Sequence, residues 1–305
     1  MSSSATRASL WMLAASIAFA IMSASIKLAS EHGVPVGHIL FYRGAISLVL
    51  MYAWLYKLRV PLATRYLGAH LRRGVIGFLG MITYVGAIAM LPLSTAVTLN
   101  YTSPVILASM LLLIHRERLQ PLTLVSMLGS LGGIVLLLRP TLDSSQWLGG
   151  VVALLSALTA AITALNIREL GRLEEPPSRA VLYFSLCVAI GALPWFLLSH
   201  PASITLTGAV YVVVAGLAAT IGQVLLTHAY QRGHTILVSL LGYSQVVFTT
   251  LMGIFIWGHQ PALTSWLGML LVIVSGAVAT VYVRPPTPGR RPNPAATPDV
   301  PAQSG

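Results

Sequence analysis

Two short polar clusters interrupt otherwise apolar stretches of the chain. The first is Asn100, Tyr101, Thr102 and Ser103, followed by Pro104; the second is Tyr243, Ser244 and Gln245. Amides and hydroxyls offer hydrogen-bond donors and acceptors without carrying charge. They suit reversible recognition of amino, carboxyl or amide groups, or the joining of neighbouring helices. Pro104 lacks an amide hydrogen and loosens the turn before it. That frees a backbone carbonyl for a ligand, allows a gating bend, or is a plain packing kink. Tyr84, Tyr211 and Trp11 are candidates for an aromatic wall. Lys27 and Arg43 stand toward the ends of apolar stretches that hold no carboxylate. They either snorkel to lipid headgroups or face a vestibule and attract an anion. Arg43 is favoured for the second role, because a guanidinium fork matches carboxylate or phosphate.

Chemistry that makes and breaks bonds has little support. No HExxH, Walker loop, nucleotide-binding glycine motif or GxSxG elbow occurs. The lone Cys187 sits in an apolar run, which allows no internal disulfide and suggests no metal site. The acidic residues are Glu31, Glu117, Asp143, Glu169, Glu174, Glu175 and Asp299, and none falls at the middle of an apolar stretch. A buried carboxylate proton relay is therefore not expected. Glu117, between Arg116 and Arg118, reads as a local ion pair, with a gate contact as the alternative. Gln223 and His228 leave proton coupling through water open. Neither enzyme activity, a cofactor nor a metal is expected.

The elements that must hold these residues are membrane spans. Mean hydropathy is +0.83 and only 8% of residues are charged, against roughly a quarter in soluble domains. Lipid must therefore cover much of the surface. A crossing of about 30 Å needs roughly 20 apolar residues in a helix. Ten stretches qualify: 9–29, 36–56, 73–91, 94–114, 122–139, 147–166, 180–198, 207–228, 235–257 and 264–283. The fold class is thus an all-α integral membrane protein with ten transmembrane helices. If the chain starts in the cytoplasm, alternation puts fifteen basic residues on the inner side, Arg72 and Arg73 among them, and only Arg139 outside. This positive-inside bias places both termini in the cytoplasm. The net charge of +11 is then juxtamembrane and directed at anionic lipid, not nucleic acid. The proline-rich segment 285–305 is expected to be a disordered cytoplasmic tail.

The chain also repeats itself. LNYTSPV at 99–105 echoes LLGYSQV at 240–246, and QPLTLVSMLG at 120–129 echoes QPALTSWLG at 260–268. The halves are 8–140 and 146–284, with five spans each. An odd-numbered unit inserts its second copy upside down, giving two inverted five-helix repeats, an arrangement associated with transporters. Gly74, Gly77 and Gly80, with Gly129 and Gly133, suggest close helix approach.

With ten spans in two halves, FYRG at 41–44, Pro104 within span four, Glu117 before span five, and Gly129 and Gly133 within it, the chain resembles the drug/metabolite transporter superfamily, in its EamA-like branch. The resemblance implies a basket of helices around a central cavity in a bacterial inner membrane. It implies secondary transport of a small metabolite, with membrane lipid as the surrounding partner. Tyr84, Asn100, Tyr101, Thr102, Ser103, Tyr243, Ser244, Gln245 and Arg43 are the candidate substrate contacts, and Pro104 the candidate bend. An exporter of amino acids or related amphipathic solutes leads. Uptake of a vitamin, nucleoside-related compound or organic anion, a channel, a structural or regulatory protein, and a lipid enzyme are the alternatives. Coupling to protons or a counter-solute, and the oligomeric state, stay open. One departure stands out: the second half carries Gly258-His259-Gln260-Pro261 where the family repeats a glutamate.

Overall fold

The computed structural model describes residues 3–114, 120–140, 146–199, 204–258 and 260–282. The expectations for Glu117 with Arg116 and Arg118, for His259 and for the tail at 285–305 lie outside the described residues. The rest forms twelve helices: α1 (Ser3–Glu31), α2 (Val36–Lys57), α3 (Leu67–Met90), α4 (Leu93–Asn100), α5 (Ser103–Leu113), α6 (Pro121–Leu138), α7 (Trp147–Arg172), α8 (Pro177–Leu198), α9 (Leu206–Arg232), α10 (Thr235–Leu241), α11 (Ser244–Trp257) and α12 (Leu263–Tyr282). Two crossings are each built of two helices, α4 with α5 and α10 with α11. Ten segments are thus long and apolar enough to span a bilayer. The protein is an all-α, multi-pass membrane protein.

Packing between helices follows an inverted repeat. The packing of α1 on α9 is mirrored by that of α7 on α3, while α2 packs on its own counterpart α8 and α6 on α12. The two broken spans show the register. Residues 101–102 form the turn between α4 and α5, and 242–243 the turn between α10 and α11. These are matching positions of the two echoing segments. Pro104 sits in the first turn of α5, where a missing amide hydrogen costs little. The second break occurs without a proline, so proline alone does not cause the first. The breaks touch: the Tyr243 hydroxyl donates to the Tyr101 carbonyl at 2.9 Å, and the two rings are 5.7 Å apart.

Close approach explains Gly133 of α6. A β-carbon on Gly133 would stand 2.7 Å from the Gly268 carbonyl oxygen, and one on Gly268 would stand 2.5 Å from that of Gly133. The backbones of α6 and α12 therefore meet directly, which only glycine permits.

The sequence boundary for the third span needs correction. It begins at Leu67 rather than 73, because His70, Arg73 and Gly74 continue a helical face that is buried against the second half. Arg73 is therefore inside the bundle, not in a connector.

Polar contacts join the halves at both ends. On the face where α1 begins, called here the terminal face, Glu175 is buried between α7 and α8. Its carboxylate accepts from Thr64 at 2.7 Å, His70 at 3.0 Å and Arg179 at 2.7 Å. Gln231 donates to the Glu175 carbonyl at 3.2 Å, and Arg179 to the Pro61 carbonyl at 3.1 Å. Beside this cluster, Arg72 donates to Asn166 at 3.0 Å and pairs with Glu169. On the opposite face, the Trp257 indole donates to Glu31 at 3.0 Å, and Lys27 lies 4.0 Å above the Trp257 ring.

Candidate functional site

Between the halves lies a chamber of about 340 Å³. Its walls come from both repeats, and the two helix breaks lie in them. A break exposes main-chain and side-chain polar groups at membrane depth, which is tolerated only where protein or a wet cavity satisfies them. Here both occur together. The Tyr101 carbonyl is taken by Tyr243, while Asn100, Tyr101, Ser103, Pro104, Tyr243 and Gln245 border the chamber. Tyr84 and Arg43 border it as well.

The structure sorts the sequence candidates. Asn100 reaches the wall but also donates to Ser156 of α7 at 2.8 Å, so it serves as interhelical joint and as lining. Thr102 and Ser244, although inside the clusters, do not border the chamber. Their hydroxyls turn back on the preceding turns, to the Leu99 and Leu241 carbonyls, each at 2.7 Å. Tyr211 packs against His32, with ring centres 5.2 Å apart, and Trp11 against His228, at 5.0 Å. Neither borders the chamber. Lys27, read as lacking a carboxylate in its own span, has one: α1 continues to Glu31, 4.0 Å away. It belongs to the opposite-face contact, not to the chamber.

Sequence reasoning missed Arg73, whose side chain is among the largest fully buried ones. Arg73 donates to the Gln223 side-chain carbonyl at 2.9 Å and stacks 3.9 Å from the Phe184 ring. Its Nε and Nη1 have no protein partner. A signal was present: Arg73, Gly77, Gly80, Met81 and Tyr84 follow the spacing of one helical face, and all five border the chamber. The small glycines on that face leave the space. Arg43 is part-buried, and among the described residues its one side-chain contact of hydrogen-bonding length is with the Met81 sulfur at 3.5 Å, a weak acceptor. Among the described residues no aspartate or glutamate borders the chamber. Neutral donors and acceptors, aromatic faces and positive charge thus converge there. Such a surface can bind and orient a solute.

Known proteins match along nearly the whole chain. The EamA-like transporter family is matched twice, at residues 6–139 and 147–281. The pseudopaline exporter CntI of Pseudomonas aeruginosa strain UCBPP-PA14 is 34% identical over 272 residues, covering 87% of this chain and 93% of that protein. A riboflavin transporter of Rhizobium johnstonii is 26% identical over 268 residues, with 87% of each chain covered. A crystal structure 20% identical in sequence superposes with a TM-score of 0.80 over 92% of this chain and 99% of the other, a likeness of fold alone.

Proposed function

Because the chain belongs to the EamA-like transporter family, we propose that it is a secondary transporter exporting a small amphipathic metabolite, of amino-acid type or related to it. The observation that carries this reading is the chamber between the two repeats, bordered by both helix breaks and by Tyr84, Asn100, Gln245 and Arg43. Neutral polar groups and aromatic faces match a solute with polar ends and an apolar body. Arg43 attracts its acid group. Export is supported by the 34% identical relative, whose name is that of an exporter.

Alternating access supplies the mechanism. Two inverted repeats can exchange conformations so that one chamber opens to each side in turn. The helix breaks act as joints, with Pro104 easing the bend at the first. With both termini cytoplasmic, as the basic residues suggest, the conformation described here is closed toward the cytoplasm. All seven residues of α10 are buried on that side, and the Glu175 cluster clamps the same side.

The test is solute counterflow in proteoliposomes across amino acids and related metabolites, repeated with and without an imposed pH gradient. Saturable exchange is expected, and non-saturable flux without counterflow would defeat a carrier mechanism. Asn100→Ala is expected to weaken apparent substrate affinity while the folded yield in membranes is retained. Unchanged uptake kinetics in that variant would remove Asn100 from the binding surface.

A further inference from the structure

The chamber carries more positive charge than a single acid group can balance. Arg73 is 1% exposed and keeps two donor nitrogens without a protein partner. Arg43 borders the same chamber with, among the described residues, only a thioether at hydrogen-bonding distance. Both approach Phe184 and Gln223: Arg73 through the ring stack and its hydrogen bond to the Gln223 side-chain carbonyl, Arg43 through the small recess the three residues share with Ser47 and Ala219. Among the described residues no carboxylate borders the chamber to offset either charge. Two guanidinium charges removed from water cost several kcal/mol each unless an anion pairs with them. Inside a membrane such residues are retained for a ligand or an ion path more often than for packing.

Their depths are close. Arg43 lies toward the opposite face from the midpoint of α2, and Arg73 toward the terminal face from the midpoint of α3. Yet next to Arg43, Gly44 packs on Ala189, and next to Arg73, Gly74 packs on Cys187 of the same helix; at about 1.5 Å per residue, the two arginines differ in depth by only a few ångströms. One carboxylate balances one guanidinium charge and leaves the other uncompensated, whereas a solute with two acid groups balances both.

We infer that Arg73 and Arg43 form a two-point anion receptor, and that the transported solute is an amphipathic di- or polycarboxylate, with an aromatic or aliphatic body lying against Tyr84 and Phe19. This rests on the transporter reading and narrows it: Arg43 alone selects an acid, whereas the pair selects a solute with two.

Three probes of similar size and differing charge test it, on the full-length protein in lipid nanodiscs at neutral pH: phenylsuccinate with two carboxylates, 4-phenylbutyrate with one and 4-phenylbutyramide with none. Binding is read by calorimetry. Phenylsuccinate is expected to bind at least about tenfold more tightly than phenylbutyrate, and the amide most weakly, as charge-assisted pairs in a dry site require. Arg43→Gln should bring the dianion-to-monoanion ratio to within about threefold, as should Arg73→Gln. Arg73→Lys, which keeps the charge but loses the planar fork, should bind phenylsuccinate more weakly and still prefer it; this variant carries the Arg73 test if the glutamine variant folds poorly. Equal affinities for the three probes, no binding by any of them, or an undiminished ratio in folded Arg43→Gln would overturn the receptor. Counterflow reads the parent proposal separately. Exchange of neutral solutes with no dianion preference sinks the receptor and leaves transport standing. A dianion preference without counterflow does the reverse.

Discussion

The two ends of the helix bundle are held by different physics. At the terminal face, a buried carboxylate gathers Thr64, His70 and Arg179 from three chain segments. At the opposite face, Lys27, Glu31 and Trp257 meet in contacts whose ionic side chains are 48% and 43% exposed. Breaking the first strands charged and polar groups away from water. Breaking the second returns its groups to solvent. Under the proposed alternating access the asymmetry has a use: the terminal face would be the end that stays shut and carries the cooperative lock, and the opposite face the end that yields.

The largest effect is therefore expected from Glu175→Ala. It leaves His70 and the Arg179 Nη1 without their carboxylate in a site closed to water, and removal of one partner from a buried pair costs on the order of 3 kcal/mol. Thermal unfolding of the purified protein should shift down by several degrees. A cysteine placed at Ser239, a chamber-lining residue of α10, should become labelled from the terminal face by a membrane-impermeant maleimide. A variant that unfolds like the wild type and keeps that cysteine protected would show that the cluster locks nothing.

Acid should reach the same lock by another route. Burial alone raises the pKa of Glu175, but the hydrogen bonds from Thr64, His70 and Arg179, together with the Arg179 charge, outweigh it and hold the carboxyl below its ordinary 4.5. A depressed folded-state pKa means that the stabilisation is fully present above 4.5 and is lost as pH falls through the lower folded value. Stability should thus be insensitive to this group from neutral pH down to about 5 and fall below about 4.5. The Glu175→Gln variant should lose that acid-dependent component. An acid transition of equal size in both proteins would assign it to other groups.

This comparison also marks what could be read from the chain directly. Span number and the inverted repeat were legible because they rest on long-range averages, namely apolar length and the echo of 99–105 in 240–246. The break at each echo was readable as a polar cluster, yet its lining residues were not separable from its neighbours. Thr102 and Ser244 look like Asn100 and Tyr243 in sequence, but a hydroxyl one turn along satisfies itself on its own helix. Arg73 was hidden for a different reason. Next to Arg72 it resembles a juxtamembrane charge, and its place on one helical face with Gly77, Gly80 and Tyr84 gains meaning only once α3 is seen to be buried against the second half. The Glu175 cluster joins residues more than a hundred positions apart, and pairings of that kind leave no local pattern to detect.

The smallest effect should come from the opposite face, and it sharpens the contrast most cleanly. Trp257→Phe removes the indole hydrogen bond to Glu31 and weakens the stack under Lys27, while keeping an aromatic ring. Exposed ion pairs and cation–π contacts are each worth about 1 kcal/mol or less. Unfolding temperature should therefore change by no more than a degree or two, and added salt should erase most of the difference. Transport is the more informative readout. If the contact merely steadies the end that opens, its loss should leave substrate affinity unchanged and raise the rate of exchange, because less must be broken in each cycle. A destabilisation as large as that of Glu175→Ala would mean that both ends are locked alike, and the asymmetry of the two faces would then have no bearing on the direction in which the chamber opens.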